Sequence, residues 1–282
     1  MDVERETNDE QTTLWNGVAG RAWVDGQELI DRILRPFEDL LVDAVRAESP
    51  GRVLDVGCGT GSVTVAIARA LGAESHCVGV DISDTMITAA RARAEREDMP
   101  ASFIRADAQV HAFEPADFDM IVSRFGVMFF DDSVQAFRTL RHAARNGAEF
   151  RFLTWRSPEE NPFMTAAERA AAPLLPNLPV RDPDAPGQFA FADADRVRGV
   201  LEDSEWTGID IQPIDVACAL PENELVHYLT LLSPVGRILH DDEQTRTQVI
   251  DAIRPAFDPF VHGAEVRFTT ACWLVTARVP SR

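Results

Sequence analysis

The sequence predicts an α/β fold, a largely parallel sheet with helices on both faces. Three observations carry that prediction. Between residues 52 and 155, short apolar runs of strand length alternate with helical stretches of roughly 10–15 residues. The first of these strands runs directly into three closely spaced glycines and then a helix. The composition, 45% hydrophobic and 26% charged over 282 residues, is that of an ordinary globular chain long enough to bury a large core.

From Glu28 to Arg46, apolar residues recur at Leu29, Ile30, Ile33, Leu34, Phe37, Leu40, Leu41, Ala44 and Val45, the period of an amphipathic helix. Pro36 lies inside it and predicts a kink or two helices end to end. Ser49-Pro50-Gly51 ends the run. Strands follow at Arg52–Val56, His76–Val80, Ser102–Ala106, Phe118–Ser123 and Glu149–Trp155. Helices fall at Ser62–Leu71, Asp84–Arg96 with Ser83 as N-cap, and Ser133–Arg145. Right-handed crossovers place successive helices on either face of such a sheet. Between Pro158 and Pro186 lie seven of the 17 prolines, which predicts an irregular or short-helical insertion. Helix returns at Asp193–Asp203, strand at Gly208–Leu220, helix at Glu222–Leu232 and Asp242–Ala256, and a long strand at Glu265–Val279. The expected organisation is a helical N-terminal cap over residues 1–48. A main domain over residues 49–282 follows, with insertions at about 158–190 and 221–263 as candidate lids.

The net charge of −19 opposes phosphate-tracking nucleic-acid binding and docking on an anionic membrane, which points to a small-molecule partner. Cys58, Cys77, Cys218 and Cys272 have no paired spacing, so neither a zinc site nor a redox dithiol is encoded, and no metal site is expected. They read as reduced thiols packed as small hydrophobes. The acidic, polar start and the lack of a membrane-length apolar run lead to the expectation of a soluble, cytoplasmic protein.

The strongest chemical feature is Val53-Leu54-Asp55-Val56-Gly57-Cys58-Gly59-Thr60-Gly61, a buried strand leading into a GxGxG loop. Glycines there permit positive φ and let a ligand approach the backbone at the carboxyl end of the first strand. Read alone, they are also compatible with a tight structural turn. Asp81, ending Val78-Gly79-Val80-Asp81, adds a carboxylate that can accept both hydroxyls of a ribose. Together these indicate a nucleoside cofactor and leave NAD open. Farther on, Asp107-Ala108 follows a third strand and can present a carboxylate and a backbone N–H to an adenine edge. Phe118-Asp119-Met120-Ile121-Val122-Ser123 then leads into Arg124-Phe125-Gly126-Val127-Met128-Phe129-Phe130.

In this order and spacing, VLDVGCGTG, VGVDIS, ADAQ and FDMIVSRFGVMFF resemble the class I S-adenosylmethionine-dependent methyltransferases. The resemblance is strongest to the type-11/type-25 branch that includes ubiquinone and menaquinone biosynthesis methyltransferases. It covers roughly residues 50–155, and Trp15-Asn16-Gly17, Trp23 and Trp155 also resemble bacterial members. It implies a Rossmann-like seven-stranded sheet with an antiparallel last strand, and S-adenosylmethionine as cofactor. By the same resemblance Gly57, Cys58, Gly59 and Gly61 form the cofactor loop, with Asp55 orienting the methionine ammonium through water and Asp81 holding the ribose. Ile82 would lie on the adenine face, Asp107 and Ala108 would read its edge, and the Ser123 carbonyl would approach the amino group. One departure stands out: Asn146-Gly147-Ala148 replaces the usual Pro-Gly-Gly turn, and Asn also tolerates the left-handed region. NAD fits less well, because Ser62 stands where GxGxxG needs its third small residue. The chain also has one tyrosine, Tyr228, and all 27 basic residues are arginine, so a Tyr-x-x-x-Lys arrangement is impossible.

On the acceptor side, Phe125 and Phe129 are candidate substrate-lining residues, while Met128 and Phe130 read as core. Trp15 and Trp23, with Phe163, Met164, Leu174 and Leu175 of the insertion, are candidates to close over the site. Such a pocket suits an aromatic or quinone-like acceptor, methylated on oxygen or carbon. His111, three residues after Ala108, is the candidate general base. His76 and His142 read as structural; His227, His240 and His262 fall in or near the second insertion. The alternatives are a catalytically silent cofactor-binding protein of the same fold and an NAD-dependent oxidoreductase.

Overall fold

The computed structural model describes residues 8–72, 75–175, 182, 185–239 and 243–281. Three helices come first: α1 (Asp9–Asn16), α2 (Val18–Asp25) and α3 (Gln27–Glu48). Then strands and helices alternate as β1 (Arg52–Val56), α4 (Ser62–Leu71), β2 (His76–Asp81), α5 (Asp84–Glu97), β3 (Ala101–Arg105), β4 (Phe118–Arg124), α6 (Ser133–Ala143) and β5 (Ala144–Trp155). The remainder comprises α7 (Pro162–Ala171), α8 (Ala194–Asp203), β6 (Thr207–Pro221), α9 (Leu225–Leu231), α10 (Pro234–Ile238), α11 (Glu243–Ile253), the short β7 (Val261–His262) and β8 (Glu265–Arg278).

The strand order is β3-β2-β1-β4-β5-β8-β6, with β7 paired to β8 as a short flap off the main path. β3, β2, β1, β4 and β5 run parallel, and β8 lies antiparallel between β5 and β6. The strand order reverses in sequence between β1 and β4, the kind of switch point at whose carboxyl edge ligands bind in open α/β sheets. Of the five parallel strands, β1, β2, β4 and β5 are largely buried, as a sheet covered by helices on both faces requires, while the edge strand β3 buries only Phe103. On the other half, α8 packs on α6 and β6, and the indole of the fully buried Trp206 donates to the Phe137 carbonyl at 3.1 Å.

α3 is one continuous helix of 22 residues with Pro36 inside it, so the alternative of two helices end to end does not occur. Its buried stripe, from Leu29 through Val45, outweighs the hydrogen bond that Pro36 removes. Ser49 caps it in the left-handed region at φ 48°. Ser83 accepts the Met86 amide at the start of α5, as the N-cap reading expects. The junction of α6 and β5 differs from the sequence reading. α6 stops at Ala143, and residues 144–148 join β5 through an irregular register in which Phe118 faces Ala144 and Met120 faces Glu149. The left-handed residue of that segment is Gly147, φ 80°, rather than Asn146. The proline-rich stretch contains α7, a short helix of the kind expected there. Pro162 sits at its first turn, where no N–H is needed.

The segments after β5 and after β6 meet. α7 packs against α10, α11, β8 and the helical turn at Arg254–Phe260, with Phe163 at the centre. The Phe163 ring stacks on Phe268 at 3.7 Å and meets Phe257 and Phe260 edge-on. Asn161 anchors the start of α7, its amide donating to the Ala271 carbonyl and accepting the Ala271 N–H, both at 3.0 Å. No described helix is long and apolar enough to cross a membrane, and the described residues contain no His/Cys/Asp/Glu cluster suited to a metal. The four cysteines are buried thiols.

Candidate functional site

A cavity of about 640 Å³ opens along the carboxyl ends of the strands, in the size range of small-molecule sites. Its floor is the loop after β1. Gly57 and Gly59 adopt φ of 67° and 54°, and a Cβ on Gly57 would stand 2.7 Å from the Gly126 Cα, so the β1 and β4 loops touch backbone to backbone. Ser123 holds that contact: its hydroxyl donates to the Val56 carbonyl at 2.7 Å and accepts the Gly126 N–H at 3.1 Å. Asp81, at the end of β2, accepts the Gly59 amide on one carboxylate oxygen and the Ser83 amide on the other, both at 2.9 Å. Burial nevertheless raises its pKa above the ordinary value. Asp107 accepts the Gln109 amide at 2.9 Å, and its pKa is also raised by burial. Gly57, Gly59, Asp81, Ile82, Asp107 and Ala108 all line the same cavity. The glycine turn and the Asp81 and Asp107 carboxylates are therefore brought together in one cavity.

Comparison with known proteins agrees with this topology. Residues 53–147 match a family model described as a methyltransferase domain. An uncharacterized protein of Mycobacterium tuberculosis is 28% identical over 179 residues, 64% of this chain and 62% of its own length. A ubiquinone/menaquinone biosynthesis C-methyltransferase of Rhizobium leguminosarum is 35% identical over 97 residues, 33% of this chain and 38% of its own. The chain thus matches less than two thirds of these relatives' length. Among solved structures, the YcgJ protein of Bacillus subtilis superposes with a TM-score of 0.57 at 16% identity, covering 87% of this chain and 98% of that one. The [4+2]-cyclase SpnF does so at 0.52 and 17%, covering 86% and 81%. The fold is that of the class I S-adenosylmethionine-dependent methyltransferases.

Within this methyltransferase fold, several residues expected at the cofactor lie beneath the cavity wall rather than on it. Asp55 is 2% exposed and accepts the Thr64 hydroxyl at 2.7 Å; desolvation pushes its carboxyl up to about 6. Cys58 turns its sulfur toward Gly79 and Phe103, and burial drives the thiol pKa well up, so it is packed and inert. Gly61, φ 82°, opens α4 where a Cβ would meet Ala90 at 2.9 Å and the Phe103 ring at 3.0 Å; its surroundings are helix and sheet. The Ser123 side chain is likewise buried in the loop contact.

The N-terminal helices cover the end of the cavity next to the β2–α5 turn. The Asn16 amide donates to the Ile82 carbonyl at 3.3 Å and its oxygen accepts the Asp84 N–H at 2.9 Å, while Ser83 donates to the Trp15 carbonyl at 2.7 Å. Trp15 meets Trp23 and Phe129 edge-on, at 6.0 and 5.1 Å, and all three line the cavity. Phe125 lines it too. Its φ of 62° costs roughly 1–2 kcal/mol for a non-glycine residue, a strain offset by stacking on Trp155 at 3.7 Å and an edge contact to Phe37 at 4.9 Å. Met128 and Phe130, expected as core, are buried and also contribute to the wall.

His111 is not among the lining residues; it packs edge-on against Phe113 at 4.5 Å, and its amide donates to the Asp107 carbonyl. His76, His142, His227 and His262 are exposed and do not line the cavity, and His240 lies outside the described residues. Of the insertion residues, Met164 reaches the cavity while Phe163, Leu174 and Leu175 do not. Sequence reasoning missed Cys218, Phe268 and Thr270, which β6 and β8 bring to one face through the pairs Cys218↔Phe268 and Val216↔Thr270. It also missed Glu168 on α7 and gave no site role to Tyr228 on α9. One signal was available: a single tyrosine beside 16 phenylalanines is a residue worth locating. Arg124 lines the cavity but its guanidinium is turned inward, donating to Ser62 at 2.8 Å and standing 3.7 Å from Glu38.

Proposed function

We propose that the protein transfers a methyl group from S-adenosylmethionine to a small aromatic or quinone-like acceptor, on oxygen or carbon. The observation that carries this reading is a single cavity joining the glycine loop, Asp81 and Asp107 to an aromatic-walled compartment. The residues present fit the cofactor: Gly57 and Gly59 leave no Cβ in its path, and Asp81 keeps lone pairs for two ribose hydroxyls. Asp107 and the Ala108 N–H would hold the adenine edge, Ile82 its face, the Ser123 carbonyl the amino group, and Asp55 would supply a compensating charge from below the loop. When bound, the sulfonium supplies an electrophilic methyl group. The chain's own contribution is positioning, which in favourable cases lowers a barrier by about 7–11 kcal/mol. Phe125 and Trp155 fix one wall, and Trp15 and Trp23 keep water from the reacting end. Nothing in this scheme draws on His111.

Calorimetry should show binding of S-adenosylmethionine and S-adenosylhomocysteine and none of NAD. Asp81→Asn should weaken both adenosyl ligands by about a hundredfold, two charge-assisted hydrogen bonds being lost. Binding of NAD alone, or an Asp81→Asn variant of unchanged affinity, would sink the assignment. Because a protein described as a [4+2]-cyclase shares the fold, methyl transfer itself is the deciding measurement. A screen over phenols, quinols, amines and carboxylates supplies it, and a chain that binds cofactor yet methylates none is the silent alternative.

A further inference from the structure

Helix α1 bridges the two loops to which the proposed function assigns the adenine. At its far end Asn16 donates to the Ile82 carbonyl at 3.3 Å and accepts the Asp84 N–H at 2.9 Å, beside Ser83, which donates to the Trp15 carbonyl. At its start Asn8 stands against the Asp107 carboxylate, opposing the rise that burial gives its pKa. Between these anchors Asn8, Gln11 and Trp15 form one helical stripe at i, i+3 and i+7, and all three line the cavity. Gln11 is only 8% exposed. Its side-chain oxygen accepts the Trp15 indole N–H at 3.1 Å, and its amide nitrogen has no hydrogen-bond partner among the described residues. An indole N–H can only donate, so it fixes the amide: the oxygen faces Trp15 and the NH2 group turns away from it. That nitrogen keeps accessible surface, and the cavity is where it is reached. The other polar side chains lining this end, Asn8, Asp81 and Asp107, are engaged with the chain itself.

We infer that Gln11 reads the cofactor's adenine, its amide N–H donating to a ring nitrogen that Asp107 and the Ala108 N–H leave free. This inference rests on the cofactor placement proposed above. Helical side chains lean toward the N-terminus of their helix, which carries Gln11 toward Asn8 and Asp107 rather than toward the β2–α5 turn. In the proposed placement Asp107 and the Ala108 N–H take the amino group and the ring nitrogen beside it. The remaining ring nitrogens, N3 and N7, only accept, which is the complement of an amide N–H. A site that presents such a donor rejects a base lacking the lone pair, because the donor is then left unmade on a buried side chain. The base would thereby be bonded from the N-terminal cover as well as from the sheet.

The test titrates the full chain calorimetrically with S-adenosylhomocysteine and with its 3-deaza and 7-deaza analogues, each of which replaces one ring nitrogen by C–H. The wild type should bind one of the two analogues about tenfold more weakly than the parent, the worth of one hydrogen bond whose donor is then stranded. Gln11→Glu keeps the acceptor for the Trp15 indole and removes only the donor, and a carboxylate in the first turn of α1 suits the helix. It should bind the parent about tenfold more weakly than the wild type does, and bind parent and that analogue within about twofold of each other. Gln11→Met, which removes donor and acceptor together, should lose the same discrimination, with circular dichroism certifying that each variant is folded. A residue that merely holds Trp15 would instead weaken the methionine variant and spare the glutamate one. The inference is overturned by that pattern, by a wild type that binds both analogues as tightly as the parent, or by a folded variant that still discriminates tenfold. Failure of S-adenosylhomocysteine to bind the wild type at all would strike the function proposed above, before any analogue is compared.

Discussion

Asp55 combines burial with proximity to a cationic ligand's expected place, and its protonation links the two. Its carboxyl is pushed up to about 6 from an ordinary 3.8, chiefly by desolvation, with the Thr64 hydroxyl and the Arg124 charge opposing the rise and Asp81 and Glu38 adding to it. Between those values the native state holds a proton that the unfolded chain has released. The stabilisation is therefore complete below 3.8 and lost as pH rises through about 6, an amount of roughly 3 kcal/mol for this fully buried group. Asp55→Asn should flatten that part of the stability profile in urea titrations at stepped pH. Cofactor binding works in the opposite sense, since a nearby cation favours the carboxylate. S-adenosylmethionine affinity should rise about tenfold from about pH 5 to about pH 7. In the asparagine variant the rise should shrink to what Asp81 and Asp107 contribute. An unchanged rise in that variant would mean that Asp55 does not feel the ligand.

At the scale of elements, the N-terminal pair α1 and α2 is attached to the main sheet mainly through the β2–α5 turn. Asn16 bridges both sides of that turn, at the Ile82 carbonyl and the Asp84 amide, and Ser83 returns a bond to the Trp15 carbonyl. The turn also carries Asp81, so the cover and the carboxylate proposed to hold the ribose share one anchor. Asn16→Ala should loosen the cover rather than the fold. We expect dissociation of S-adenosylhomocysteine to quicken by about tenfold while global stability changes by about 1 kcal/mol or less. Stopped-flow tryptophan fluorescence reads this, because Trp15 and Trp23 both face the cavity and should quench on binding. A rate equal to wild type would mean that α1 does not gate the site. The α7, α9 and α10 segments form the opposite cover. They are held differently, by the Phe163–Phe268 stack and the Asn161–Ala271 pair, so loosening one cover should leave the other in place.

For the molecule as a whole, the charge of −19 is the dominant long-range term. Asp55, Asp81 and Asp107 account for little of it, and most of the excess is dispersed over the surface, where like charges repel across solvent. Screening should therefore stabilise the protein. The melting temperature should rise by a few degrees between about 10 mM and about 200 mM sodium chloride, the range over which the Debye length falls from about 30 to below 10 Å. A flat or falling salt profile in thermal melts would show that ion pairs such as Arg93–Asp31, at 2.6 Å, outweigh the repulsion. The sheet divides the cavity in the same way that it divides the chain. In the proposed function β2 and β3 supply the nucleoside end, β8 and β6 the acceptor end, and the β1–β4 switch point joins them.

The amino-acid sequence alone determined the alternating half of this protein. β1, α4, β2, α5, β3 and β4 were legible to within a residue or two, because each is specified by local periodicity and by its own turn residues, Gly57 to Gly61, Ser83 and Asp107 among them. The placement of Asp81 and Asp107 followed, since a residue at the end of a parallel strand can only face the carboxyl edge. Local signals could not separate a glycine that admits a ligand from one that admits a helix. Gly57 and Gly59 line the cavity, while Gly61 packs against Ala90 and Phe103. They could not show that His111 turns to Phe113 rather than into the cavity. Nor could they bring together Glu168, Cys218, Tyr228, Phe268 and Thr270, which span about a hundred residues of chain. Those side chains meet only because β8 inserts antiparallel between β5 and β6 in one register, and because Phe163 and Asn161 fix α7 onto it. Register and docking are set by long-range burial, which no window of sequence contains.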